Sequence, residues 1–135
     1  MYKTIMVPVS FDNDRDAAGA LEVARLLAGD DGKILIIHVI EQIPAYVVSY
    51  VPAQYMDESR NAIRTELEEM AANIPNAEGV LVEGHSGRTI VDYAEKRGVD
   101  CIVIASHRPG MQDIFLGSTA QTVVRHAPCA VHVLR

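Results

Sequence analysis

The sequence predicts an α/β fold, an open sheet of five parallel strands with helices on both faces. Two observations predict it. Five short apolar, β-rich runs alternate with four segments of helical periodicity, and right-handed βαβ crossovers turn that alternation into a parallel sheet. Runs such as KILIIHVI at Lys33–Ile40 and CIVIA at Cys101–Ala105 are almost uninterrupted, as strands covered on both faces are. At 135 residues, with no internal repeat, low-complexity tract or linker, residues 1–135 are expected to form one domain.

The first strand is Lys3–Val9 (KTIMVPV), with Pro8 near its end. Asp14–Ala28 places Ala17, Leu21, Ala24 and Leu27 at helical spacing. Gly29, Asp30, Asp31 and Gly32 form a turn before the second strand, Lys33–Ile40. Ile43–Tyr55 (IPAYVVSYVPAQY), bounded by Pro44 and Pro52, reads as a loop with a short helical piece. It is open to three roles: a cover over a ligand, a partner surface, or a loop tucked onto the sheet edge. Met56–Asn73 carries Ile63, Leu67 and Met70 on one face, with Ile74 following, so it is an amphipathic helix. Gly79–Glu83 is a short third strand. Arg88–Arg97 is a helix with Ile90, Tyr93 and Ala94 inward, closed by Gly98. Cys101–Ala105 is the fourth strand, Gly117–His126 a helix ended by Pro128, and Ala130–Leu134 (AVHVL) the last strand.

The formal charge of −6 argues against non-specific nucleic-acid binding, which needs a basic face. No stretch approaches the ~18 apolar residues of a membrane span. Met1–Val9 reads as a strand and not as a secretory signal, so a cytoplasmic location is expected. Cys101 and Cys129 lie in or beside apolar runs and read as small core residues, without a CxxC pair. The five histidines show no HExxH spacing, so no metal site is expected, and His38 and His132 read as core or interface packing.

In such sheets a ligand sits beyond the carboxyl ends of the strands, where the strand order reverses. That singles out Val9–Asp12, Val39–Gln42, Glu83–Gly87 and Ala105–Ser118. The longest stretch is Ser106–Leu116 (SHRPGMQDIFL), followed by Gly117, Ser118 and Thr119 opening a helix. A helix start offers unpaired N–H groups and partial positive charge, which suit a phosphate. Gly117 admits close backbone approach, Ser118 and Thr119 add hydroxyls, and His107 and Arg108 supply positive charge. The alternative is a capping role, because Ser118 to Gln121 fits the S-x-x-Q box. Neither a Walker A loop nor a GxGxxG fingerprint is present.

These residues carry a family resemblance. Met6-Val7-Pro8-Val9, Gly84-His85-Ser86 with Ile90-Val91-Asp92-Tyr93-Ala94, and Asp100 to Ser106 each resemble segments of universal stress proteins. Gly117-Ser118-Thr119-Ala120 and then Val124 to Val131 are similar to that family's C-terminal signature. The resemblance spans essentially the whole chain. It implies a Rossmann-like sheet of order 3-2-1-4-5 and ATP, optionally with Mg2+, bound at the carboxyl ends of strands 1 and 4. By the resemblance, Pro8, Val9 and Ser10 lie near ribose and adenine, and Val39 and Ile104 sandwich the base. Ser106, His107, Arg108, Gly117, Ser118 and Thr119 then face the phosphates. The family loop G-x-x-G, nine residues, then G-S or G-T puts its last pair on Gly117 and Ser118. Its first glycine falls on Ala105, its second near Arg108 or at Gly110, and the family's aspartate after strand 1 is Ser10. A homodimer through Ala130–Leu134 is also implied.

The leading reading is thus a stress-responsive regulatory module that binds nucleotide without substantial turnover, with no catalytic residues. The alternatives are a slow ATPase or phosphotransferase, and a protein that binds no nucleotide and works through protein partners. A phospho-acceptor receiver domain lacks its acidic pair here, since the first strand runs into Pro8-Val9-Ser10.

Overall fold

The computed structural model describes residues 1–10, 17–106 and 117–135. Its elements run β1 (Thr4–Pro8), α1 (Ala17–Ala28), β2 (Lys33–Ile40), α2 (Ala45–Val48), α3 (Ala53–Ala72), β3 (Ala77–Glu83), α4 (Ser86–Lys96), β4 (Cys101–Ala105), α5 (Ser118–His126) and β5 (Ala130–Leu134). The strands form one sheet in the order β3-β2-β1-β4-β5, with every pair parallel. The expected fold class and strand order are both observed.

Strand alternation sorts the core into two layers. Met6, Leu35, Ile37, Ile102 and Ile104 face the helices α4 and α5, which contribute Ile90, Val91, Ala94, Ala120 and Val123. Ile5, Val7, Ile34, Ile36, Cys101 and Val103 face α1 and α3, which contribute Ala20, Ala24, Ala28 and Leu67. At the amino edge, the Asp100 carboxylate accepts from the backbone N–H groups of Lys3 and Thr4 at 2.9 and 3.0 Å, tying β1 to β4.

Three starts lie earlier than the apolar periodicity implies, each because backbone bonding decides them. α3 opens at Ala53, since the Pro52 carbonyl already accepts from Tyr55 and Met56. β3 opens at Ala77, because Asn76 turns the chain at φ 61 and its carbonyl accepts from Ile34 N–H. Gly79 lies inside β3, where a Cβ would stand 3.0 Å from the Leu67 Cβ of α3. α4 opens at Ser86, after Gly84 breaks the strand at φ 153.

The β1–β2 ladder runs on to Pro8↔Ile37, whereas the β1–β4 ladder pairs only Ile5↔Cys101 and Met6↔Ile102. Pro8 has no N–H to extend a ladder. The sheet is therefore unzipped between β1 and β4 at its carboxyl end. Among the described residues no helix is long and apolar enough to cross a membrane.

Candidate functional site

A cleft of about 500 Å³ occupies that gap, at the switch in strand order and within the range of small-ligand pockets. Among the described residues its lining draws on both core layers. The end of β1 supplies Pro8, Val9 and Ser10. β2 and the turn after it supply Ile37, His38, Val39 and Glu41, and β4 supplies Ile104 and Ala105. The helices add Ala17, Ala20, Ile63, Ser86, Ile90 and Thr119.

The β1 end is held in both directions. Val9 N–H donates to the Ile37 carbonyl at 2.8 Å, and the Val9 carbonyl accepts from His38 Nδ1 at 2.8 Å. That second bond places the ring proton on Nδ1. The expectation of plain core or interface packing for His38 is thus corrected: the ring pins β1 and lines the cleft. His132, on β5, is exposed.

On the opposite wall α4 and α5 bring their first turns together. Ser86 Oγ donates to Glu41 Oε1 at 3.1 Å and lies 3.0 Å from Thr119 Oγ1. The two helices approach this closely because Gly87 has no side chain, since a Cβ there would stand 2.7 Å from Thr122 Cβ. First-turn N–H groups have no intrahelical partner and carry partial positive charge, so this wall suits an anion.

Ser106, fully buried, follows β4 directly after the lining residue Ala105. Its N–H donates to the Leu134 carbonyl at 2.9 Å, and its carbonyl accepts from Gly117 N–H at 2.8 Å. Gly117 is the N-cap of α5, extended at φ −63 and ψ 158, with no side-chain cap. The capping-box alternative is therefore corrected. Ser118 is the first helical residue, exposed, and its carbonyl accepts from Thr122 Oγ1 at 3.1 Å.

Of the residues singled out from sequence, Pro8, Val9, Ser10, Val39, Ile104 and Thr119 meet in the cleft, with Val39 and Ile104 in the same layer. Ser106 and Gly117 are joined to each other, but they and Ser118 are not among the described residues that line the cleft. His107 and Arg108 lie outside the described residues. Sequence reasoning missed Glu41, Ser86, Ile63 and the role of His38. Glu41 and Ser86 fell within the segments marked after strands 2 and 3, and that position was their available signal. No group of three or more potential metal ligands occurs among the described residues.

The model of the universal stress protein family matches residues 1–135. The chain belongs to the universal stress protein family. This universal stress protein is 29% identical over 140 residues to universal stress protein A homolog 2 of Coxiella burnetii, covering 99% of this chain and 95% of the relative. It superposes on universal stress protein UspA from Lactobacillus plantarum with a TM-score of 0.72 at 28% identity, over 99% of this chain and 98% of the other. Two further structures share the fold. A universal stress protein in complex with cAMP has TM-score 0.63 and 20% identity, covering 99% and 97% of the two chains. A family protein from Arabidopsis thaliana with AMP bound has TM-score 0.64 and 19% identity, covering 98% and 90%.

Proposed function

We propose that this universal stress protein is a regulatory module that binds an adenine nucleotide in the β1–β4 cleft and acts in a stress response without substantial turnover. The cleft itself carries the reading. It sets apolar walls from Val9, Val39 and Ile104 beside two helix starts that favour an anion. The cAMP and AMP complexes of family proteins support it. In this reading the base lies between Val39 and Ile104, and the ribose lies near Pro8, Val9 and Ser10. The phosphates lie toward Ser106, Gly117, Ser118 and Thr119, with His107 and Arg108. ATP is the nucleotide the sequence favours. Mg2+ would come with the phosphates, because the described residues offer it no ligand cluster. Residues 1–135 act as one domain, in the cytoplasm, as a homodimer through β5.

Gly117→Val tests the site. The extended backbone at Gly117 is one that valine adopts, so the substitution adds bulk where the phosphates would approach without backbone strain. Calorimetry should show ATP affinity falling about tenfold or more, the effect of one lost phosphate contact of ~1.4 kcal/mol. No binding of ATP, AMP or cAMP by the parent protein at millimolar concentration overturns the reading.

A second reading, action through a protein partner, rests on α2. That helix buries none of its residues, and Tyr46, Tyr50 and Tyr55 around it are 73%, 85% and 67% exposed. Such a surface suits contact with another protein.

A further inference from the structure

We infer that Glu41 sets the charge selectivity of the cleft, by drawing the hydroxyl protons of Ser86 and Thr119 away from the ligand. The inference rests on the nucleotide reading and names one group that tunes that site's preference among nucleotides. Ser86 Oγ donates to Glu41 Oε1 at 3.1 Å. A hydroxyl has one proton, so Ser86 has none left for Thr119. In the 3.0 Å contact between them Thr119 must then be the donor and Ser86 the acceptor. The bonds run Thr119 to Ser86 to Glu41, and both protons point toward the carboxylate.

Two consequences follow for a ligand. Thr119 turns lone pairs toward the cleft, which suit a sugar hydroxyl better than a phosphate oxygen. The first turn of α5, the most favourable place for an anion, sits two hydrogen bonds from a fixed negative charge. No lysine or arginine offsets that charge among the described residues of the lining. Each phosphate added to a nucleotide brings more negative charge to the end where Glu41 stands, and like charges repel more as their number grows. Glu41 therefore weakens binding of a triphosphate more than binding of a monophosphate, and so narrows whatever preference for ATP the rest of the site supplies.

Glu41 is exposed, so it can be changed without opening the core. Glu41→Gln removes the charge, keeps the shape and offers an amide N–H that lets the chain of bonds reverse. Ser86→Ala cuts the chain while keeping the charge. Calorimetry with AMP and with ATP, in EDTA, reads both. Glu41→Gln should tighten ATP about three- to tenfold and AMP in the same direction but clearly less. The gain should shrink in 0.5 M salt. Ser86→Ala should give a smaller gain of the same kind.

Equal shifts for AMP and ATP, or a loss for ATP greater than for AMP, overturn the role of Glu41 and leave the nucleotide reading standing. ATP binding that appears only in Glu41→Gln supports the role. If parent and both variants bind neither nucleotide, the role and the nucleotide reading fail together.

Discussion

Cys101 lies 1% exposed in the layer under α1. Its thiol is pushed up to about 11, first by burial and then by the neighbouring Cys129 and Asp100. The unfolded thiol titrates near 9.0. Below about pH 9 both states hold the proton and the folded state keeps its full stability. Between about 9 and 11 the unfolded chain releases a proton that the folded one retains, so stability falls as pH rises through that window. The drop is on the order of 2 kcal/mol for a shift of this size. Urea midpoints should hold from pH 7 to 8.5 and then decline, and Cys101→Ala should flatten the greater part of the decline. Cys129, also raised by burial, accounts for a smaller part. Identical slopes in parent and Cys101→Ala would refute this. The burial of Cys101 was legible, because it stands in an unbroken apolar run. The role of His38 was not, since a run of apolar letters says nothing about which carbonyl an imidazole will find.

β5 pairs with β4 on one side, through Cys101↔Ala130 to Ala105↔Leu134, and ends the sheet on the other. Val131 and Val133 pack against the layer of α4 and α5, while Ala130 and His132 are exposed. An open edge of this kind is a template for a second strand. If two copies pair there antiparallel, their His132 side chains come close about the two-fold axis. His132→Glu then sets like charges against each other, which destabilises cross-strand pairs. Light scattering should give the parent twice its 14.7 kDa and His132→Glu a lower average mass. A parent mass of 14.7 kDa would refute the dimer. The strands and long helices were legible from their periods of two and 3.6, which depend on side chains. Their starts were less so, because Pro52, Asn76 and Gly84 act through the backbone. The short α2 was legible as a helical piece between two prolines, but its lack of burial was not.

For the molecule as a whole, the position of the cleft followed from topology alone, since alternating strands and helices dictate where the strand order reverses. Its polar wall did not, because Glu41, Ser86 and Thr119 come from three separate segments and meet only once Gly87 lets α4 and α5 close together. A nucleotide that binds only the folded protein stabilises all of it. At a hundred times its Kd the gain is about 2.7 kcal/mol. For a chain of this size that raises Tm by about 10 °C. Thermal melts with AMP, cAMP and ATP should each move upward, and no shift with any of the three at millimolar concentration would contradict the proposed site.

The bond from Gly117 N–H to the Ser106 carbonyl has a consequence for how this protein can be varied. It fastens the chain at both ends of residues 107–116, with Ser106 also anchored to β5 and Gly117 to α5. Each of these bonds uses backbone atoms alone, so none depends on the side chain at either anchor. The end of β4 is thus tied to β5 and to the start of α5 by a splice that survives any substitution at Ser106 or Gly117 other than proline, which would remove the N–H.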